Sequence, residues 1–232
     1  QIISPYRGEF YGTGALNVLM QNYFNPYWSH RYNLDGISYF DKVIQFRNRP
    51  KSDMAYAYNQ ETRAVEQHEV YNGEIGLVLM HPFDQKNKRY NYISTIERFQ
   101  VAFSNKNRQR LRYNYGREYG RNDKGWNLPE QKVQENLELA YAISVLKSQG
   151  SEFDYVYIVI PKRDSHLLSM ELLYTAITRA QKKVTILLQE DIGTLTALGH
   201  IEKSAVRRIN SSVFAFNPLP EELLYIQNWY AD

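Results

Sequence analysis

Two apolar runs, "LAYAISVL" (139–146) and "YVYIVIP" (155–161), flank a polar loop centred on Gly150, and this pairing constrains the fold more than any other feature of the chain. Both runs are rich in β-branched and aromatic residues, the pattern of strands buried on both faces of a sheet. Strands of that kind belong to parallel sheets, which need crossover connections between successive strands. The chain supplies them: strands at 139–146 and 155–160, a helix over 165–179, then a strand at "KVTILL". The N-terminus has the same texture. "QIIS", "PYRG" and "TGALNVLMQNYF" read as strand, loop and helix, with Thr13 as N-cap, Leu16, Leu19, Met20 and Tyr23 at helical spacing, and Asn25-Pro26 as the stop.

Between these two α/β parts the texture changes to short alternating segments: "KVIQFRN", "EIGLVLMH", "KRYNYISTI", "FQVAFS" and "QRLRYNY". In "FQVAFS" the residues Phe99, Val101 and Phe103 share one face, as a half-buried strand requires. Asn72-Gly73 is a hairpin signal ahead of "EIGLVL". Short strands at such spacing predict a small antiparallel β-barrel, with the polar piece 49–69 as a long loop and "PEQKVQENL" as a connecting helix. The fold class is α/β: a parallel-sheet domain (1–37 and 136–200), covered on both faces and interrupted by an inserted barrel (38–135), with a tail at 201–232.

The charge balance, 28 Lys+Arg against 25 Asp+Glu, does not announce a polyanionic partner, so local patches must carry that argument. The absence of cysteine excludes disulfides and thiolate metal sites. His30, His68, His81, His166 and His200 show no metal-ligand spacing. No uncharged apolar run is long enough to span a bilayer. The chain starts at Gln with a strand already under way, and reads as a piece of a longer protein.

Ligands of parallel α/β sheets bind at the carboxyl ends of the strands. Arg7, the loop Lys147 to Asp154, and Arg179 are expected to converge there. Two arginines and a carboxylate beside a glycine suit a polyanion carrying a sugar. The competing readings are a helix C-terminal cation for Arg179 and a plain surface charge for Arg7. Asp154 reads as a cap of the loop. A second basic region lies at 104–126, where Lys106, Arg108, Arg110, Arg112, Arg117, Arg121 and Lys124 interleave with Tyr113, Tyr115, Tyr119 and Trp126. Cations that track a backbone and aromatic faces for bases suit single-strand binding. The alternative is a charged edge strand, with Leu111, Tyr113 and Tyr115 in the core.

The segments "AISVLKSQGSEFDYVYIVIP" and "ELLYTAITRAQKKVTIL" resemble motifs V and VI of superfamily 1 helicases, closest to the RecD-like branch. "ISPYRG" is similar to motif IV, and the stretch from "DKVIQFRN" to "YNGEIG" resembles the start of the Src-homology-3-like barrel that such enzymes insert between motifs IV and V. The resemblance runs in family order over roughly 1–189. It implies that the parallel-sheet part is the second of two RecA-like motor domains, in a cytosolic, prokaryotic DNA helicase with ATP in the cleft between the domains. Arg179 would reach the γ-phosphate, Arg7 would be a second phosphate contact, Glu152 would accept a hydrogen bond from the ribose, and Gly150 would let the turn approach the nucleotide. Ser144, Lys147 and Ser148 would face the backbone of single-stranded DNA, with RNA as the alternative strand. Leu146 departs from the pattern, standing where many relatives carry a histidine that contacts nucleic acid.

The chain has no GxxxxGK[ST] loop and no acidic magnesium motif. A motor that hydrolyses ATP needs both, so the resemblance places them, and the Mg2+ ligands, in an N-terminal motor domain of the same polypeptide. The isolated chain is then expected not to hydrolyse ATP. A non-catalytic nucleic-acid-binding module is the reading from another class.

Overall fold

The computed structural model describes residues 1–49, 56–82, 96–104, 110–116, 132–162 and 168–198. In chain order they form β1 (Ile2–Ser4), α1 (Thr13–Phe24), α2 (Pro26–Ser29), β2 (Lys42–Gln45), β3 (Tyr56–Asn59), β4 (Ala64–Gln67), β5 (Ile75–Leu79) and β6 (Arg98–Phe103). There follow β7 (Leu111–Gly116), β8 (Leu137–Leu139), β9 (Ala142–Ser144), a 3-10 turn (Leu146–Ser148), β10 (Phe153–Ile160), α3 (Met170–Ile177), β11 (Ala180–Leu188) and α4 (Gly193–Leu198). No helix among the described residues is long and apolar enough to cross a membrane.

The first sheet is parallel throughout, in the order β11-β10-β1-β9. Its first strand sits between two that come more than a hundred residues later, so everything from α1 to β8 interrupts one sheet. Ile3, Ile143, Val156 and Ile158 form its core, and Ile44 of β2 packs into the same cluster. The other face is not closed as expected: Tyr155, Tyr157 and Leu187 stay exposed among the described residues.

The second sheet has seven antiparallel strands in the order β4-β3-β7-β6-β5-β2-β8. Among the described residues β4 and β8 do not pair with each other, so the sheet is open. A barrel closes only when its first and last strands share a ladder. Here the chain leaves β8 through Ala140 and Tyr141 directly into β9 of the parallel sheet. The run read as one strand, 139–146, is thus divided between two sheets. The hairpin β3–β4 arises from the piece read as a loop, turning at Arg63 with φ +57. Gly73 turns with φ +92, as the Asn-Gly pair suggested, but it leads from the Arg49–Val70 bridge into β5 and closes no two-strand hairpin. "FQVAFS" is no half-buried strand: β6 lies between β5 and β7, and Arg98 and Gln100 are buried along with Phe99 and Val101. Residues 132–136 form a turn where a helix was expected, and most of "KRYNYISTI" lies outside the described residues.

Helix α1 ends where expected but buries a rotated face, on which Leu16 and Met20 of the expected stripe are still half-buried. Its N-cap is Gly12, and its buried residues are Asn17 and Gln21, whereas Leu19 and Tyr23 are exposed. The reason is the break between β8 and β9, where backbone groups leave the ladder and still need partners. Asn17 supplies them like a peptide unit: Nδ2 donates to Leu139 O (3.0 Å) and Ala142 O (2.9 Å), and Oδ1 accepts from Ala142 N (2.8 Å).

Candidate functional site

The loop between β9 and β10 is shaped by its own hydroxyls. Ser144 Oγ accepts from Lys147 N at 3.3 Å, and Ser148 Oγ donates to Val145 O at 2.7 Å. Ser148 is fully buried, so its side chain caps the 3-10 turn and offers nothing to a ligand in this conformation, contrary to its expected place against a strand. Gly150 has φ +79, and a Cβ built there meets nothing within 4 Å. Glycine is therefore required by the left-handed backbone, not by close approach.

At the loop's far end Arg179 folds back onto it. Its Nη1 donates to Ser151 O (3.3 Å), its Nε to Thr175 O (3.0 Å) and its Nη2 to Thr178 Oγ1 (3.1 Å). Glu152 accepts from Gln181 Nε2 at 2.7 Å. Asp154 pairs across the strands with Lys182 Nζ at 2.6 Å instead of capping the loop. Ser151, Glu152 and Asp154 line a cavity of about 880 Å3 into which Lys42 of β2 also projects, and Arg179 is tied to its edge through Ser151 O. Lys42 Nζ donates to Gln1 Oε1 at 2.5 Å and lies 5.8 Å from the Phe153 ring centre, and burial lowers its pKa.

Arg7 does not join this group. It follows the carboxyl end of β1, as Lys147 follows that of β9, whereas Arg179 precedes the amino end of β11. Ile3 is level with Ile158 and Ile186 across the sheet, and Ala180 begins six residues before Ile186. At roughly 3.3 Å per residue the two ends are about 20 Å apart along the strands. The convergence expected from the sequence is thus two sites. At the carboxyl end a cleft of about 1080 Å3 holds Arg7, Lys147 and Glu138. One carboxylate serves both cations: Glu138 Oε1 lies 3.7 Å from Arg7 Nη2, and Oε2 pairs with Lys147 Nζ. Lys147 also lies 5.6 Å from the Phe46 ring centre.

Residues 139–187, which contain the hydroxyl-shaped loop, α3 and Arg179, match the model of the UvrD-like helicase C-terminal domain. Over these residues the chain is similar to a helicase C-terminal domain of this UvrD-like, RecD-like kind. The RecD subunit of the RecBCD enzyme from Mycobacterium tuberculosis is 49% identical over 51 residues, which cover 22% of this chain and 9% of that protein. An uncharacterized protein of Methanocaldococcus jannaschii is 35% identical over 153 residues, covering 66% of this chain and 11% of that one. The chain therefore spans about a tenth of the length of these relatives. A Bacteroides Pif1 helicase in complex with ADP-AlF3 and ssDNA superposes with a TM-score of 0.38 at 16% identity, over 92% of this chain and 46% of that one.

Away from the matched segment, only part of the basic region at 104–126 falls among the described residues. Arg108 lies outside the described residues. Arg110 is largely exposed and ion-pairs with Glu61, and Arg112 Nη1 donates to Leu111 O at 3.0 Å. Leu111, Tyr113 and Tyr115 are buried, and Tyr115 OH donates to Gln45 Oε1 at 2.7 Å, so neither tyrosine presents a stacking face. Glu138, Lys42 and Asp41 were missed from the sequence. Glu138 did leave a signal, as the one charged side chain in the otherwise apolar run "LELAYAISV".

Proposed function

We propose that the whole protein carrying this domain is an ATP-dependent DNA helicase that couples nucleotide turnover to movement along single-stranded DNA and to duplex unwinding. The observation that carries the reading is the contact of Arg179 with Ser151 O, which joins the two most family-like segments beside the cavity that Ser151 and Glu152 line. Arg179 is held there by neutral hydrogen bonds of 3.0 to 3.3 Å. A terminal phosphate would offer its guanidinium shorter, charge-assisted, two-pronged bonds, so exchange is favourable. In this reading Arg179 stabilises charge that develops during phosphoryl transfer, and Glu152, at the turn made by Gly150, takes the ribose hydroxyl. The P-loop and the Mg2+ ligands belong to an N-terminal RecA-like motor domain, and this chain alone does not turn over ATP.

The role of Arg7 follows its position. Beside Lys147 it serves the DNA backbone at the carboxyl end with Ser144, and Arg110 and Arg112 extend a basic track on the open antiparallel sheet. One loop thus spans both sites, with Lys147 toward the strand and Glu152 toward the nucleotide, which gives ATP turnover a short path to strand contacts.

The test is ATPase activity of the full-length protein stimulated by single-stranded DNA, wild type beside Arg179→Ala, with strand binding measured for both. The expected result is a loss of turnover of about 10³-fold or more with strand binding retained. Absent turnover in the wild type, or full turnover in Arg179→Ala, would instead favour a non-catalytic nucleic-acid-binding module.

A further inference from the structure

We infer that Glu138 is an electrostatic latch on the carboxyl-end cleft: its carboxylate occupies Arg7 and Lys147, and a phosphate of a single-stranded nucleic acid binds by displacing it. The inference rests on the strand-binding reading above and adds a residue to which neither the family resemblance nor the sequence pattern assigned a role. Glu138 lies on β8, an edge strand among the described residues, with its backbone paired to Ile44 of β2. From that edge its side chain reaches across to the loops that follow β1 and β9.

A carboxylate with one oxygen toward each of two cations has the donor requirements of a phosphodiester group, two anionic oxygens facing N–H donors. Among the described residues, the charged side chains lining the cleft are Arg7, Lys147, Asp35 and Glu138, so its two cations are balanced by two carboxylates. Asp35 accepts from the neutral Gln134 Nε2 at 2.8 Å, whereas the carboxylate in contact with both cations is that of Glu138. The Glu138 side chain is one-third exposed, and Arg7 is 83% exposed. Ion pairs in that setting are weak and exchange readily with a competing anion. Lys147, only 29% exposed, is already aimed into the cleft, so the strand needs no rearrangement beyond withdrawal of Glu138.

The latch also joins the two sheets. Withdrawing Glu138 removes the side-chain tie between β8 and the Lys147 loop, so strand occupancy would loosen the antiparallel sheet from the segment that also contacts Arg179.

The test is binding of a fluorescent oligothymidine to the full chain over a range of salt concentrations, for wild type, Glu138→Gln, Glu138→Gln with Lys147→Gln, and Glu135→Gln as an exposed control. The latch predicts that Glu138→Gln binds about threefold to tenfold more tightly at low salt. It also predicts a salt dependence steeper by about 0.7 for each further phosphate that the cations neutralise. Adding Lys147→Gln returns affinity to the wild-type level or below, and Glu135→Gln stays within twofold. If the wild type binds and Glu138→Gln binds no more tightly, or if its tighter binding survives Lys147→Gln, the latch is wrong and the strand reading stands. If neither protein binds the strand, both fall.

Discussion

Asp41 is the residue whose replacement reports most directly on how the two sheets are joined. It is fully buried. Its Oδ1 accepts from Asn25 Nδ2 (2.8 Å) and the Tyr141 hydroxyl (2.9 Å), and its Oδ2 accepts from Gln21 Nε2 (2.5 Å) and Ser38 N (2.7 Å). One carboxylate thus ties α1, the entry to β2 and the β8–β9 connection together. Burial, and then the neighbouring Asp41, raise the pKa of the Tyr141 phenol, which keeps it a donor across the ordinary pH range. In Asp41→Asn the new NH2 must face two donors whichever way the amide flips. At the Oδ1 position the Tyr141 hydroxyl can turn and accept, leaving only Asn25 opposed. At the Oδ2 position the backbone N–H of Ser38 cannot reverse. The amide should therefore place its nitrogen at the Oδ1 position and strand one donor, at a cost of about 2 kcal/mol. Asp41→Ala strands at least Ser38 N and the Tyr141 hydroxyl and leaves a small void, at a cost of about 4 kcal/mol. Urea unfolding followed by far-UV circular dichroism measures both. With a slope near 2 kcal/mol per molar, the Asn variant should lose about 1 M in midpoint. A loss for Asn below about 0.5 kcal/mol, or one equal to that for Ala, would refute the hydrogen-bond geometry as the source of the stability.

Gly150→Ala should cost about 1 kcal/mol by thermal unfolding, because φ +79 penalises a Cβ although nothing crowds it; an unchanged or higher midpoint would show that the left-handed turn is not held in solution. Glu66 has a pKa lowered to about 2 by hydrogen bonds from Thr62, His68 and Asn59, together with the charge of His68. A depressed carboxyl stabilises the fold above its unfolded value near 4.5, and that contribution fades as pH falls toward about 2. Carboxyl NMR titration should place Glu66 well below 4 and move it up in Thr62→Val; a value of 4 or more in the wild type rules the cluster out.

The amino-acid sequence by itself determined the parallel sheet and the polar loop at its centre. Parallel strands carry their signature locally, in uninterrupted apolar runs such as 155–160, even though Tyr155 and Tyr157 on one face stay exposed, and Gly150 marks a backbone angle that depends on few distant partners. The bounds of α1 were equally legible, since Asn25-Pro26 stops a helix whatever surrounds it. Tertiary structure decided the rest, because it depends on what lies opposite. Which face of α1 is buried was set by its polar partners: Asn17 turned inward to the backbone of Leu139 and Ala142, and Gln21 to Gly36 O and the Asp41 carboxylate, both against their polarity. The run 139–146 was divided because the edge of one sheet feeds the other, and no local pattern marks that point. The expected convergence of Arg7 with Arg179 failed because loops that follow strands and loops that precede them occupy opposite ends of a parallel sheet. The pairing of Glu138 with Arg7 likewise joins residues more than a hundred positions apart, through a strand order that only the folded chain specifies.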